Sequence, residues 1–495
     1  MKDFVKYTLA TLCGLFLAGI ALFILGILSI AGMMTMESAA PSIKPQSVLR
    51  LTLNGELQED APNDPLGDLF GSTYPTLSLR EIQTAIQGAK ENPNIDGIYI
   101  EAQTLLGATP AMIRDIRESL ADFKKSGKYI IAYGDNYTQG AYYICSIADS
   151  IILNPQGQVN WCGMASQPIF YKDLLEKIGI KMQVFKVGSY KSAVEPFTAT
   201  QMSDANREQV TSYLNDIWQT MLTDVSRSRS IKKDLLNEYA DSMLTFRPAE
   251  ELVRNGMVDS LCYIDGVSRM LRAKTGKDKG TLPLVSVKEL AAATEATPKK
   301  GDKIAVYYAY GDIVDRKTEW SENVIDAETV CRDLRTLRED ESVKAVVLRV
   351  NSGGGSAYAS EQIWHEVKLL REAKPVVVSM GGMAASGGYY ISCAANYIVA
   401  EPTTLTGSIG IFGLIPDASQ LLSDKLGLHF DVVKTNAHAD FGTLARPFNP
   451  SEAQMMQGYI QRGYKLFTER VADGRNMKTG QVEKLAEGRV WTGRQ

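Results

Sequence analysis

One pattern constrains this chain more than any other: much of it is written twice. Asn154-Pro155 recurs as Glu401-Pro402, and at that same offset Gln139-Gly-Ala-Tyr-Tyr143 lies on Ser386-Gly-Gly-Tyr-Tyr390 and Tyr129–Gly134 lies on Val376–Gly381. With small gaps, Asn54-Gly55 faces Tyr310-Gly311, Val184-Phe-Lys186 faces Val432-Val-Lys434, and Pro196-Phe197 faces Pro447-Phe448. The long amphipathic stretches Asp204–Ser228 and Ser451–Arg475 match as well. Within each copy, strand and helix patterns alternate. Ile95–Ile100 and Tyr129–Tyr133 read as strands, Ala111–Lys125 and Tyr142–Ala148 as helices. Such alternation argues an α/β fold with a largely parallel sheet, and the recurrence argues two tandem copies of one unit. A chain of 495 residues has room for both cores.

The N-terminus follows a different rule. From Tyr7 to Met34 there is no charged residue, with Lys2 and Lys6 before it. That run is longer than the apolar region of a cleaved signal and favours a retained, tilted membrane helix, with removal after the small residues Ala39-Ala40 as the alternative. The lysines put the N-terminus in the cytoplasm, so everything after about residue 40 is expected on the far side. The expected divisions are therefore 1–40 for the anchor, 41–290 for the first copy, 291–303 for a linker rich in Ala, Thr and Lys, and 304–495 for the second copy. The polar exit stretch Pro41–Leu66 carries one strand, Val48–Leu53.

Composition narrows the chemistry. A formal net charge of −4, with 22% charged residues, gives no basic field for nucleic acid. The six cysteines are scattered without metal-ligand spacing and read as buried thiols, and three histidines are too few for a zinc site. Nothing points to a metal or an organic cofactor.

The two copies diverge where a reaction would sit. Ser386, in Met380-Gly-Gly-Met-Ala-Ala-Ser-Gly-Gly-Tyr-Tyr390, stands between a β-branched strand (Pro375–Met380) and an apolar helix (Tyr389–Ala395); its counterpart is Gln139. The run Asn351-Ser-Gly-Gly-Gly355, after the strand Ala345–Val350, faces Gln103-Thr-Leu-Leu-Gly107. Conversely Lys191, in Gly188-Ser-Tyr-Lys-Ser192, faces the neighbourhood of Ala439, where there is no lysine. Complementary losses are what one composite site would leave. A serine hydroxyl needs a base, a neutral lysine can be one, and the attacked carbonyl needs amides for its oxyanion. Gly387 and the Gly353–Gly355 run are the candidates for those amides.

The anchor, the tandem halves, A-A-S-G-G-Y-Y and the downstream Thr404-Leu-Thr-Gly-Ser-Ile-Gly410 together resemble the long-form signal peptide peptidase A family, also called protease IV (peptidase family S49). The resemblance runs from the anchor nearly to the C-terminus. It implies ClpP/crotonase-like domains and a Ser/Lys dyad split between the halves. Ser386 would be the nucleophile, Lys191 the general base and Ser408 the residue that orients the lysine, with Gly387 and Gly355 (or Gly354) as oxyanion amides. It further implies signal peptide remnants and other peptides as substrates, a single-pass protein of the bacterial inner membrane with its catalytic part on the periplasmic side, and a homotetrameric bowl. Two departures stand out. The family commonly reads N-S-P-G-G where this chain has Asn351-Ser-Gly-Gly-Gly355, and its members continue beyond the counterpart of Val490-Trp-Thr-Gly-Arg-Gln495, so further sequence is expected after Gln495.

Three rival readings remain open on sequence. His438 and Asp440 invite a Ser386–His438–Asp440 triad, which only geometry can judge. The crotonase fold also serves acyl-CoA chemistry, although no carboxylate stands in Met380–Tyr390 or Asn351–Ser356. A catalytically inert membrane-bound scaffold is the third.

Overall fold

The computed structural model describes residues 1–36, 42–61, 75–276, 281–296, 301–318 and 323–495. The chain opens with helix α1 (Lys2–Met36). Its segment Lys2–Gly26 has mean hydropathy 2.4 and buries nothing against the rest of the protein, and among the described residues it is the one helix long and apolar enough to cross a bilayer.

The first half is built from strands β1 (Ser47–Gln58), β2 (Ile95–Leu106), β3 (Tyr129–Tyr137) and β4 (Ser150–Val159), with helix α2 (Pro110–Lys124) and the short α3 (Gln139–Cys145) between them. The four strands are parallel neighbours in that order. In β1, Leu49, Leu51 and Leu53 alternate onto one buried face, as a two-residue period requires. Helix α2 starts where the sequence says it should: Thr109 caps the Met112 amide and Pro110 takes the first position. Its Met112, Ile116, Leu120 and Phe123 then fall on one face and join the core with the sheet. Beyond β4 come β5 (Lys181–Lys186), the long helix α4 (Asp204–Arg229) and helix α5 (Val287–Glu295).

The second half repeats the parallel succession with β6 (Lys303–Tyr310), β7 (Val343–Ser352) and β8 (Val376–Ala385). Helix α6 (Ala357–Ala373) links β7 to β8, and the six-residue α7 (Gly387–Ser392) follows β8. Strand β9 (Leu405–Gly407) pairs with the end of β8, and β11 (Val490–Thr492) closes that edge antiparallel. Between them lie β10 (Phe412–Asp417) and helix α8 (Pro450–Arg475), the latter capped by a reciprocal Asn449/Glu452 box. The core of this half is its own, centred on Val346, Leu348, Val350, Val376, Val378, Ile363 and Val367.

Two features fasten the halves together. β5 of the first half pairs antiparallel with β10 of the second, from Phe412↔Lys186 to Asp417↔Lys181. Buried charges also cross the boundary: Arg349 on β7 meets Glu59, just past β1, at 2.9 Å and Asp115 on α2 at 2.8 Å. Arg114, also on α2, bonds Glu401.

Three expectations change. The stretch expected as a linker, 291–303, is not all linker. Ser286 and Glu289 form a capping box that starts α5, whose Leu290 and Ala291 are buried, and Lys303 already belongs to β6. Alanine and threonine suit a spacer, but alanine is also the best helix former, and Thr294 packs tightly over Gly88. Residues 297–300 of that stretch, like 37–41 and 62–66 near the anchor and exit, lie outside the described residues. Second, Val184–Lys186 is strand whereas its expected match Val432–Lys434 is irregular, with Val433 97% exposed; β5 takes Phe412–Asp417 as its neighbour instead. Third, not every thiol is buried: Cys145, Cys331 and Cys393 are, but Cys13 and Cys162 are exposed.

Candidate active site

Ser386 occupies the junction of β8 and α7 with φ 53° and ψ −118°, a sparsely populated positive-φ conformation that costs a non-glycine residue about 1–3 kcal/mol. The bond from its amide to the Gly407 carbonyl, 2.9 Å, ties that turn to the end of β9. The glycines around it are there for space. A Cβ on Gly388 would stand 2.6 Å from the Ser352 carbonyl, and one on Gly354 would stand 2.7 Å from the Gly387 nitrogen. β7 and β8 thus bring the glycine run directly against the serine.

Lys191 arrives from the other half, in the loop after β5, and the β5–β10 pair delivers it to the segment that precedes β10. Its Nζ lies 3.0 Å from Ser386 Oγ, 3.0 Å from Ser408 Oγ and 3.1 Å from the Ser408 carbonyl oxygen. The residue is only 3% exposed. Burial disfavours the ammonium and pushes its pKa down to about 8 from an ordinary 10.5. Coordination of the nitrogen agrees with a neutral form. A neutral amine has two N–H bonds, which Ser408 can accept through its carbonyl and hydroxyl oxygens, and one lone pair, which is left for the Ser386 hydroxyl. Ser408 is itself held at φ 50°, its amide donating to the Arg489 carbonyl at 2.6 Å.

A contribution absent from the sequence reading comes from the turn Glu487–Arg489. Gly488, at φ +78°, lies so close that a Cβ there would stand 2.7 Å from both the Cβ and the nitrogen of Lys191. Glu487 accepts the Tyr190 amide at 3.0 Å. Buried Gln209 on α4 spans the same seam, donating to the Tyr190 carbonyl at 3.1 Å while its carbonyl oxygen accepts the Val490 amide at 3.1 Å. Nothing in the sequence around Gly488 marks this role, which rests on a close approach that only the fold creates.

In the glycine run, the Gly354 amide is engaged by Ser352 Oγ at 3.1 Å, and its carbonyl accepts from Ile313. The amides of Gly355 and Gly387 have no acceptor among the described residues. Beside Ser386 opens a cleft of about 560 Å³, walled by residues such as Ile411, Phe412, Ile460 and Leu466. Its polar end is Tyr390, whose hydroxyl donates to Glu361 at 2.6 Å, with Arg470 on the same carboxylate.

The matched positions hold no second site. Gln139 accepts the Cys162 and Gly163 amides, each at 3.0 Å, and donates to the Gly163 carbonyl at 3.0 Å, so its carboxamide plugs the place that Ser386 leaves open. The alternative triad is not assembled either. His438 lies 3.3 Å from Glu452, and Asp440 is held by Arg446 and Lys434.

Comparison with known proteins agrees with this geometry. The sequence model of peptidase family S49 matches residues 122–277 and 368–495, and that of Clp protease matches 312–404. Protease 4 of Salmonella typhi is 41% identical over 465 residues, covering 90% of this chain and 74% of that protein. Protease 4 of Haemophilus influenzae is 35% identical over 491 residues, 95% of this chain and 79% of that one. The chloroplastic serine protease SPPA of Arabidopsis thaliana is 33% identical over 459 residues, 91% and 66%. The family model spans both halves and the relatives run almost end to end: the chain belongs to peptidase family S49 and is a membrane-associated serine endopeptidase of the protease 4 kind.

Proposed function

We propose that this endopeptidase works through a Ser/Lys dyad split between its halves, with Ser386 as nucleophile and Lys191 as general base. One observation carries the reading: a buried amine 3.0 Å from the hydroxyl of a serine in a strained turn. Neutral Lys191 takes the Ser386 proton as Oγ attacks the scissile carbonyl. The Gly387 and Gly355 amides, both without an acceptor among the described residues, receive the oxyanion, whereas Gly354 is occupied by Ser352. The resulting ammonium keeps its two bonds to Ser408 and passes the third proton to the leaving amine, which expels the first product. Lys191, neutral again, deprotonates a water that attacks the Ser386 ester, and the second product leaves with the serine restored. Ser408 keeps the amine aimed throughout.

The wider reading follows the same family. Residues 41–290 and 304–495 are two copies of a ClpP/crotonase-like unit joined near 291–303, behind an anchor in 1–40. Both sheets run in a similar parallel succession, and Gln139 and Ser386 each stand where a strand gives way to a short helix. A relative from Enterococcus faecium, 34% identical over 197 residues, bears the name putative signal peptide peptidase SppA. The substrates proposed are accordingly signal peptide remnants at the bacterial inner membrane, cut on the periplasmic side by a homotetramer. The apolar cleft beside Ser386 suits such segments.

The test is paired substitution. Ser386→Ala and Lys191→Ala should each cut peptide hydrolysis by about a thousandfold or more, and Ser386→Ala should abolish labelling by a fluorophosphonate. If Lys191→Ala retains most of the activity, another base operates and the dyad is wrong.

A further inference from the structure

We infer that Glu59, a carboxylate of the first half, is a positioning residue for the glycine loop of the second, and that Gly381-Gly382 is the seat on which the first half docks. The inference rests on the oxyanion reading of that loop given above.

Glu59 is 3% exposed and accepts three bonds: from Arg349 Nε at 2.9 Å, from Arg349 Nη2 at 3.2 Å and from Asn351 Nδ2 at 3.0 Å. A carboxylate facing an arginine only accepts, so the edge of the Asn351 amide turned toward it must be the NH2 edge. The opposite edge is then fixed as Oδ1, and it accepts the Met383 amide at 3.0 Å. Reversing the amide would set oxygen against carboxylate on one side and NH2 against N–H on the other. Glu59 thus selects one of two orientations of a side chain that ties β7 to β8. Asn351 directly precedes Ser352, whose hydroxyl fixes Gly354, and Met383 lies on β8, the strand that ends just before Ser386. The loop and the nucleophile are spaced by a linkage that the other half of the protein holds in place.

The glycine pair supports the same conclusion. Neither Gly381 nor Gly382 has a positive φ, so neither is needed for its torsions. Both are needed for room. A Cβ on Gly381 would lie 2.3 Å from Glu59 Oε1 and 3.0 Å from Asn351 Cβ, and one on Gly382 would lie 2.3 Å from Oγ1 of Thr109, the cap of α2. Two side chains of the first half rest directly on the nucleophile strand, and the motif's first glycines make way for them.

The test uses the full chain in detergent, with active sites counted by fluorophosphonate titration. For each variant, kcat per titrated site, KM for a short apolar peptide amide and inhibition by the matching peptide aldehyde are measured; the aldehyde forms a hemiacetal that needs the same amides. Glu59→Gln keeps size but removes the charge that orders the Asn351 amide. It should lower kcat per titrated site about tenfold or more and weaken the aldehyde by a similar factor, with KM within about twofold. Asn351→Ala should do the same. A merely structural Glu59 would reduce the number of titratable sites and the melting temperature while leaving kcat per site intact, and that result overturns the inference. If Asn351→Ala has the effect and Glu59→Gln does not, Glu59 loses its role while the oxyanion reading stands. If neither variant alters kcat per site or aldehyde binding, the oxyanion reading falls as well. Should Glu59→Gln fail to fold, Glu59→Asp keeps the charge beside Arg349 but withdraws it from Asn351; the same drop is expected, and an unchanged kcat per site is refutation.

Discussion

At the scale of single residues, the proposed dyad makes Lys191 the group whose protonation decides whether the site can act. With its pKa pushed down to about 8 by burial, roughly a tenth of the amine is neutral at pH 7 and most of it at pH 9. We therefore expect kcat/KM to climb with pH along a limb centred near 8; a profile that is flat from 6 to 9 would refute the lysine as base. The same shift bears on stability. Because the folded state holds this proton less tightly than the unfolded one, the penalty for burying the charge is full below pH 8 and fades as the pH rises toward 10.5. At neutral pH that penalty is on the order of 3 kcal/mol. Lys191→Met, which keeps the bulk and drops the charge, should abolish activity yet raise the melting temperature by a few degrees, and a lowered melting temperature would count against a strained amine. The serine and lysine could be singled out in the sequence because each stands in one of two matched segments and is missing from the other. Gly488 could not, because its importance lies in an empty volume that only the folded chain reveals.

At the scale of elements, the decisive pairing is β5 with β10, a two-stranded ribbon whose strands come from different halves. The alternation of strands and helices, and the starts of β2 and β3, could be read from hydrophobic period; their ends could not, since both strands run on past the expected Ile100 and Tyr133. The ribbon could not, since antiparallel pairing between distant segments leaves no local signature, and the repeat only matched Val184–Lys186 with Val432–Lys434 as equivalent positions, which assigns it no neighbour. The turn at Glu487–Arg489 closes over the loop this ribbon carries. Gly488→Ala forces a methyl into the backbone of Lys191 at a torsion suited to glycine. A loss of about 1–2 kcal/mol in stability and about a hundredfold or more in kcat per titrated site is expected; near-normal turnover would show that the lysine tolerates displacement.

At the scale of the whole molecule, the halves meet across buried charge. Arg349 lies between Glu59 and Asp115, and burial raises the Asp115 carboxyl in spite of the arginine beside it. Arg349→Met would leave two carboxylates without their partner and should cost about 3–5 kcal/mol in a denaturant titration. Replacing all three together (Arg349→Met, Glu59→Gln, Asp115→Leu) should cost less than the single change, since the desolvated charges disappear with the pair. If the triple variant is instead the weaker, the cluster is a net source of cohesion.

The order in which the reacting parts are made carries a consequence of its own. A ribosome releases Lys191 long before Ser386, and the turn at Gly488 later still. In the proposed dyad, a growing chain therefore holds a base with nothing to activate. On that reading peptide hydrolysis waits until residue 489 has been made, and the proteins around the unfinished chain are spared until then.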